Sequence, residues 1–140
     1  MATQRSSKVA ALEKISLFEG LSQRDLEKVS RLTEEVAVPA GRRIAAAGET
    51  GRELFIIVDG RARVTTRRGR AIHLGPGDSF GEISLIDGEP RSADVDAVTP
   101  MRLLVVGYRE FWGLLDDHLP IVRKVVRTLA RRLREAERPV

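Results

Sequence analysis

The alternation of apolar and polar positions changes twice along this chain. Residues 8–32 read as helical, with Val9, Leu12 and Ile15 recurring at helix spacing. LFEGLS then reads as a turn, and Ser22 is placed to cap the helix QRDLEKVSRL. From Val36 short apolar runs alternate with turn signals: VPAG (38–41), AGETG (47–51), DG (59–60), RRG (67–69), GPGD (75–78), DGEP (87–90) and VTP (98–100). Punctuation at that spacing predicts an all-β sandwich, barrel or roll. Strands are expected near 35–39, 42–46, 53–58, 61–67, 70–75, 92–98 and 101–106, with Asp59-Gly60 closing a tight hairpin.

From Tyr108 the helical period returns. YREFWGLLDDH predicts a short helix ending near Leu119-Pro120, with Phe111 and Trp112 packing it on the β-domain. IVRKVVRTLARRLREAE predicts a second. Ile121, Val122, Val125, Val126, Leu129, Leu133 and Ala136 form its wide apolar stripe. Leu119, Val122, Val126, Leu129, Leu133 and Ala136 also alternate by three and four, the seam pattern of a helix pair. The stripe serves either to dock on the β-domain or to meet a partner helix as well. The expected architecture is mainly β with flanking helices, in one domain of 140 residues. Within 79–86 the strands are interrupted, and Asp78 or Ser79 is expected to cap a short helical turn with Glu82 in its first turn.

Composition narrows the chemistry. A 42% hydrophobic and 31% charged chain fits a globular domain. Its longest apolar runs, such as 54–58 and 103–106, are strand-length, so no membrane span is expected. The start, MATQRSSKVA, lacks the apolar core of a signal peptide. Without cysteine there is no disulfide, thiolate nucleophile or thiolate metal site, and these features together suggest the cytoplasm. His73 and His118 stand far apart, so no metal cluster is expected. Nucleophile-elbow, phosphate-loop and dinucleotide patterns are absent from the sequence, and no enzyme is expected. The net charge of +4 is concentrated: residues 121–138 alone carry seven basic and two acidic side chains, and RARVTTRRGR (61–70) has five arginines and no acid. Both stretches are solvated faces, or surfaces for an acidic or nucleic-acid partner.

The densest chemistry lies in FGEISLIDGEPRSADV, residues 80–95. A glycine followed by a helical first turn offers backbone N–H groups to an anion. Arginine offers a fork that matches phosphate oxygens. A carboxylate nearby makes sense if the ligand also brings hydroxyls that need an acceptor. Gly81, Glu82 and Arg91 therefore suit a sugar phosphate. An alternative remains open on residue types alone, a Glu82–Arg91 ion pair that pins the loop.

The same stretch resembles the phosphate-binding cassette of the cyclic nucleotide-binding domain family. The family pattern, F-G-E, a small residue, leucine, a variable turn and R-[STA]-A, is matched by Phe80, Gly81, Glu82, Ser84, Leu85, Arg91, Ser92 and Ala93. Similarity extends over nearly the whole chain, through LFEGLS, VPAGRRIAAAGETGRELFIIVDGRARV, IHLGPGDSFGE and YREFWGLLDDHLPIVRKVVRTLARRLRE. The resemblance implies an antiparallel, jelly-roll-like β-roll over 33–107 with its cassette at 80–93. N-terminal helices would fill 8–32 and C-terminal helices 108–138.

It also implies a cyclic nucleotide as ligand. Glu82 would accept from the ribose 2′-hydroxyl and Arg91 would neutralise the phosphate. Gly81, Ser92 and Ala93, with neighbouring backbone at Phe80, Ile83 and Ser84, would complete the shell. Serine at position 92 favours cAMP over cGMP in this comparison. The chain departs from the family in two places. Ala45, Ala46 and Ala47 stand where bulkier or acidic residues are common. After Ala130, Arg131, Arg132 and Leu133 the threonine–serine pair that meets adenine in transcription-factor members is missing, which leaves Arg132 as the candidate lid contact. The implied role is a non-enzymatic cyclic-nucleotide sensor whose C-terminal helices shift, with Gly107 and Gly113 as hinge candidates. Its readout would be a homodimer or an effector protein bound through helix 121–136. A helix-turn-helix does not follow before Val140, so DNA binding is not expected. Two other readings are the sensory part of a larger transcription factor or channel, and an interaction module that kept the roll and lost its ligand.

Overall fold

The computed structural model describes residues 3–137. Residues 1–2 and 138–140 of the expected domain, and the side chain of Ala136, lie outside the described residues. Helix α1 (Thr3–Glu13), a 3-10 turn at Ser16–Phe18 and α2 (Gln23–Arg31) precede the β-region. Ser22 caps α2 as expected, its hydroxyl accepting from the Asp25 N–H at 3.1 Å.

Eight strands follow: β1 (Glu34–Val38), β2 (Arg43–Ala45), β3 (Glu53–Asp59), β4 (Ala62–Thr66), β5 (Ala71–Leu74), β6 (Ser79–Phe80), β7 (Ala93–Ala97) and β8 (Met101–Gly107). They form two antiparallel four-stranded sheets, in the orders β1-β8-β3-β6 and β2-β7-β4-β5. Each of the seven expected strands is present, shortened or extended by a residue or two at its ends. Strand β6 is additional. Its two residues pair with β3 through Phe55–Phe80 and Ile56–Ser79, too short a run to show a period of two.

The Asp59-Gly60 expectation needs correction. Gly60 does turn the chain, at φ 93°. However, β3 and β4 belong to different sheets, so the turn is a corner of the roll and not a paired hairpin. The backbone there passes close to a neighbour, since a Cβ on Gly60 would stand 2.9 Å from the Met101 Cα. The β4–β5 pair is the true hairpin.

Strands β3 and β8 are buried on both faces, which is why ELFIIV and MRLLVV read as unbroken apolar runs. Leu54, Ile56, Leu104 and Val106 face one way, into a core with Leu12, Phe18, Val29, Phe111, Leu114, Ile121 and Val125 of the helices. Phe55, Ile57, Leu103 and Met101 face the roll interior, with Val38, Ala62, Phe80, Val95 and Ala97. Each such side chain taken from water is worth about 1.5–3 kcal/mol, so this one sheet anchors both the helices and the cassette.

The C-terminal helices are α4 (Tyr108–Asp117) and α5 (Leu119–Glu137). Helix α5 starts two residues earlier than the sequence pattern suggested, because Pro120 is tolerated in a first turn where its missing N–H has no partner to lose. Of the stripe, Ile121 and Val125 are buried on the roll side, and Leu129 packs partly there. Leu119, Val126 and Leu133 are exposed at 59%, 59% and 61%. The stripe therefore splits into a docked face and an open one.

Candidate functional site

The short helix α3 (Glu82–Asp87) carries the acidic half of the candidate site. Its cap is Gly81, at φ 98° in the left-handed region, with no side chain capping the helix. This replaces the expectation for Asp78 or Ser79. Asp78 accepts from the Gly75 N–H at 2.9 Å in the preceding turn, and Ser79 is buried in β6. Only glycine suits position 81. A Cβ there would sit 2.6 Å from Arg91 Nη1 and 2.7 Å from the Glu53 carbonyl, in a conformation that L side chains avoid.

Glu82 is 1% exposed, and its Oε1 accepts from Arg132 Nη1 of α5. Its Oε2 is buried without a hydrogen-bond partner among the described residues. Burial raises its pKa above the ordinary carboxylate value, with the Arg132 charge, a backbone hydrogen bond and the more distant Arg91 pulling it back. Arg132 Nη2 also donates to the Ser79 carbonyl at 3.1 Å. The Glu82–Arg91 ion pair considered from the sequence is absent, because a residue fifty positions away on α5 takes the carboxylate instead.

Arg91 stands between β6, β3 and the cassette turn. Its Nη1 donates to the Gly81 carbonyl at 3.2 Å and its Nη2 to the Glu53 carbonyl at 3.0 Å. The guanidinium lies 5.5 Å from the centre of the Phe55 ring, which stacks on Phe80 with centroids 5.0 Å apart. Burial lowers its pKa, and the neighbouring Glu53 and Glu82 oppose that shift, but a guanidinium stays charged in a protein. Its direct contacts are thus two neutral carbonyls and a ring, which orient the cation, with the two carboxylates outside ion-pair distance. Sequence reasoning missed these supports. Phe55 faces inward by the period of two within ELFIIV, which was a usable signal; the two carbonyls leave no trace in residue type.

Arg91, Gly81, Ser84, Ser92, Ala93, Phe80, Ile83 and Arg132 line one cavity, of about 220 Å³. Ala45, Val64, Thr66, Ile72, Leu74 and Val95 complete it with a largely apolar wall. Of the nine residues singled out by sequence, eight stand on this lining. The ninth, Glu82, is buried behind it, paired to Arg132, which does line it. Arg132, the candidate lid contact, thus stands on the cavity lining with its side chain 36% exposed. Trp112 does more than pack: its indole N–H donates to the Leu85 carbonyl at 3.1 Å, tying α4 to the cassette helix. Gly107 precedes α4 in an extended conformation and Gly113 lies within that helix, while the break between α4 and α5 falls at His118. His73 is exposed on β5, away from this lining.

The site can hold a ligand that joins an anion, met by Arg91 and the backbone around Gly81, to an apolar body against Val64, Ile72 and Leu74. Comparison with known proteins identifies the family and the fold. Residues 35–118 match the family model of the cyclic nucleotide-binding domain. A cyclic nucleotide-gated potassium channel of Rhizobium etli is 37% identical over 83% of this chain and 32% of its own length. A CRP-like cAMP-activated global transcriptional regulator of Mycobacterium tuberculosis is 30% identical over 88% of this chain and 57% of its own. Among solved structures, the Thermus thermophilus catabolite activator protein superposes with a TM-score of 0.79 at 31% identity, over 87% of this chain and 60% of that one. This chain therefore spans about a third of the channel and under two thirds of either regulator. It belongs to the cyclic nucleotide-binding domain family.

Proposed function

We propose that this chain is a non-enzymatic sensor that binds a cyclic nucleotide, cAMP in preference to cGMP, in the cavity between the cassette and β4–β5. The observation that carries the reading is the oriented guanidinium of Arg91 on the cavity wall, in no ion pair among the described residues, beside a buried carboxylate with one oxygen free of partners. A buried cation whose hydrogen bonds go to neutral carbonyls, and whose nearby carboxylates stand beyond ion-pair contact, suits an anionic guest. In this reading Arg91 meets the cyclic phosphate, and Ser84, Ser92, Ala93 and the backbone of Phe80 to Ile83 surround it. The ribose hydroxyl donates to Glu82, which requires Arg132 to give ground or to share the carboxylate. The base lies on Val64, Ile72 and Leu74. The preference for cAMP rests on Ser92 and on the cAMP-activated regulator among the relatives.

Binding is transmitted by movement of α4 and α5, since Arg132 and Trp112 both bridge from these helices to the cassette. The readout is the open face of α5, Leu119, Val126 and Leu133, meeting a second copy or an effector protein. A cytoplasmic location fits these roles, and no helix among the described residues is long and apolar enough to cross a membrane. Thermal denaturation with cAMP, cGMP and AMP in large excess tests the proposal. Stabilisation by cAMP above cGMP, with AMP inert, is expected; no shift with any of them overturns it in favour of a ligand-free interaction module.

A further inference from the structure

We propose that the tip of the β4–β5 hairpin, Arg67, Arg68 and Arg70, is an electrostatic guide that captures the anionic ligand and speeds its arrival in the cavity. The inference rests on the cyclic-nucleotide reading above and extends it to how the ligand gets in.

The hairpin has two roles on one backbone. Its register pairs Val64 with Ile72 and Ala62 with Leu74, and Val64, Thr66, Ile72 and Leu74 form the apolar wall of the cavity. The last pair of this ladder is Thr65–Ala71, and Thr66 follows it at the turn. There the Thr66 N–H donates to the Arg70 carbonyl at 2.9 Å, and the Arg70 N–H donates back to the Thr66 hydroxyl at 3.2 Å. Gly69, at φ 78°, closes the turn with its N–H on the Thr66 carbonyl. The arginine-bearing tip is therefore fastened to a cavity-lining residue and cannot drift from it.

Distance decides which charges count. Successive Cα atoms are about 3.8 Å apart, so Arg67 begins one residue from the lining, and Arg70 is bonded to it directly. The screening length at physiological salt is about 8 Å, and roughly 20 Å near 20 mM. The tip falls within the first range. Arg31, an exposed residue at the end of α2, lies on the helix side of the β1-β8-β3-β6 sheet, two packed layers and roughly 20 Å from the hairpin at about 10 Å per layer, outside it. Arg67, Arg68 and Arg70 are exposed and form no ion pair among the described residues. Glu82, the carboxylate behind the cavity, is already paired with Arg132, so it does not cancel them. Exposed Asp87 and Glu89 in the cassette turn add an opposing field, which charge reversal at the tip leaves in place. A cavity rimmed by unpaired charge of one sign raises the local concentration of its counter-ion and the association rate.

The tip touches neither the phosphate nor the base in this scheme, so it acts on association and not on dissociation. Stopped-flow mixing of the full chain with fluorescently labelled cAMP, at ionic strengths from about 20 to 500 mM, reads both rates. Arg68→Glu should lower the association rate roughly threefold or more near 20 mM and flatten its salt dependence, with dissociation unchanged. Arg31→Glu changes net charge equally and should lower the association rate much less than Arg68→Glu, with dissociation also unchanged. Equal effects of the two variants, or a wild-type association rate indifferent to salt, overturn the guide while leaving nucleotide binding intact. Failure of the wild-type chain to bind the labelled cAMP, or unlabelled cAMP in a calorimeter, overturns the underlying reading instead.

Discussion

Arg132 of α5 holds Glu82 of the cassette helix through one carboxylate oxygen and leaves the other without a partner. The two residues lie fifty positions apart, and their contact is a direct link between the pocket and the C-terminal helix. Removing the arginine should be felt in two ways. Glu82 would become a buried carboxylate without its nearest charge, and α5 would lose a tether. Because the Arg132 side chain is 36% exposed, the cost is set below that of a fully buried pair, at about 1–2 kcal/mol in Arg132→Ala. Urea unfolding checks this; an unchanged midpoint would show the contact to be energetically idle.

The same burial gives a pH signature. The Glu82 pKa is raised above its ordinary value near 4.5, chiefly by desolvation, so the folded protein holds this proton more tightly than the unfolded chain. The stability this group contributes is fully present below about pH 4.5 and is lost as pH rises through the folded value. Glu82→Gln abolishes that dependence. The stability of the variant minus that of wild type should therefore become more positive between pH 4.5 and pH 7, measured by urea unfolding at both. A difference that falls over this interval would mean that the pairing with Arg132 outweighs burial.

Arg91 carries the ligand prediction. Arg91→Ala should weaken cAMP binding by about 2–5 kcal/mol, since it leaves a phosphate desolvated and unpaired. Arg91→Lys should recover only part of this, because a lysine cannot present the fork held by the Gly81 and Glu53 carbonyls. Isothermal calorimetry with all three proteins settles the order, and equal affinity for wild type and the alanine variant would remove Arg91 from the site.

Much of this arrangement was legible in the sequence, and the reasons differ by element. The cassette residues could be read because their types are chemically specific and close in sequence. The roll could be read because β3 and β8 are buried on both faces and the turns carry glycine. The sheet partners could not. Asp59-Gly60 looks like a hairpin locally, and only the sheet order shows that the chain changes layers there. Nor could the partner of Glu82 be read, since Arg91 is nine positions away and Arg132 is fifty; proximity in sequence favoured the wrong arginine. Strand β6 was too short to have a period.

Gly81 tests the backbone of the site apart from its charges. Gly81→Ala places a Cβ 2.7 Å from the Glu53 carbonyl, which belongs to a core strand and cannot yield, at a φ of 98°. Left-handed strain alone costs about 1–2 kcal/mol, and the contact adds to it. Thermal melting should fall by several degrees, and cAMP affinity should fall with it because Arg91 shares the same carbonyl. Full stability in this variant would show that α3 can re-form around another cap.

The open face of α5 predicts an assembly state. Val126 is 59% exposed and contributes little to the fold, so Val126→Glu should leave the melting temperature nearly unchanged. If a second copy covers the seam, that variant should sediment as a monomer while wild type sediments as a dimer at about 100 µM. Wild type sedimenting as a monomer with and without cAMP would leave the seam to an effector protein.

Trp112 offers the test of helix movement. It is the one tryptophan of the chain, and its indole N–H is held by the Leu85 carbonyl within the cassette helix. Movement of α4 against the cassette on binding must lengthen, break or re-aim that bond, and indole emission responds to the polarity and hydrogen bonding around it. Adding cAMP should therefore shift the intrinsic emission along a saturable curve that matches calorimetry. The response should vanish in Arg91→Ala, which removes binding, and shrink in Arg132→Ala, which keeps the phosphate contact but cuts the link from cassette to α5. A spectrum that ignores saturating cAMP, in a protein that calorimetry shows to be bound, would mean that α4 and the cassette stay locked and that α5 alone carries the signal.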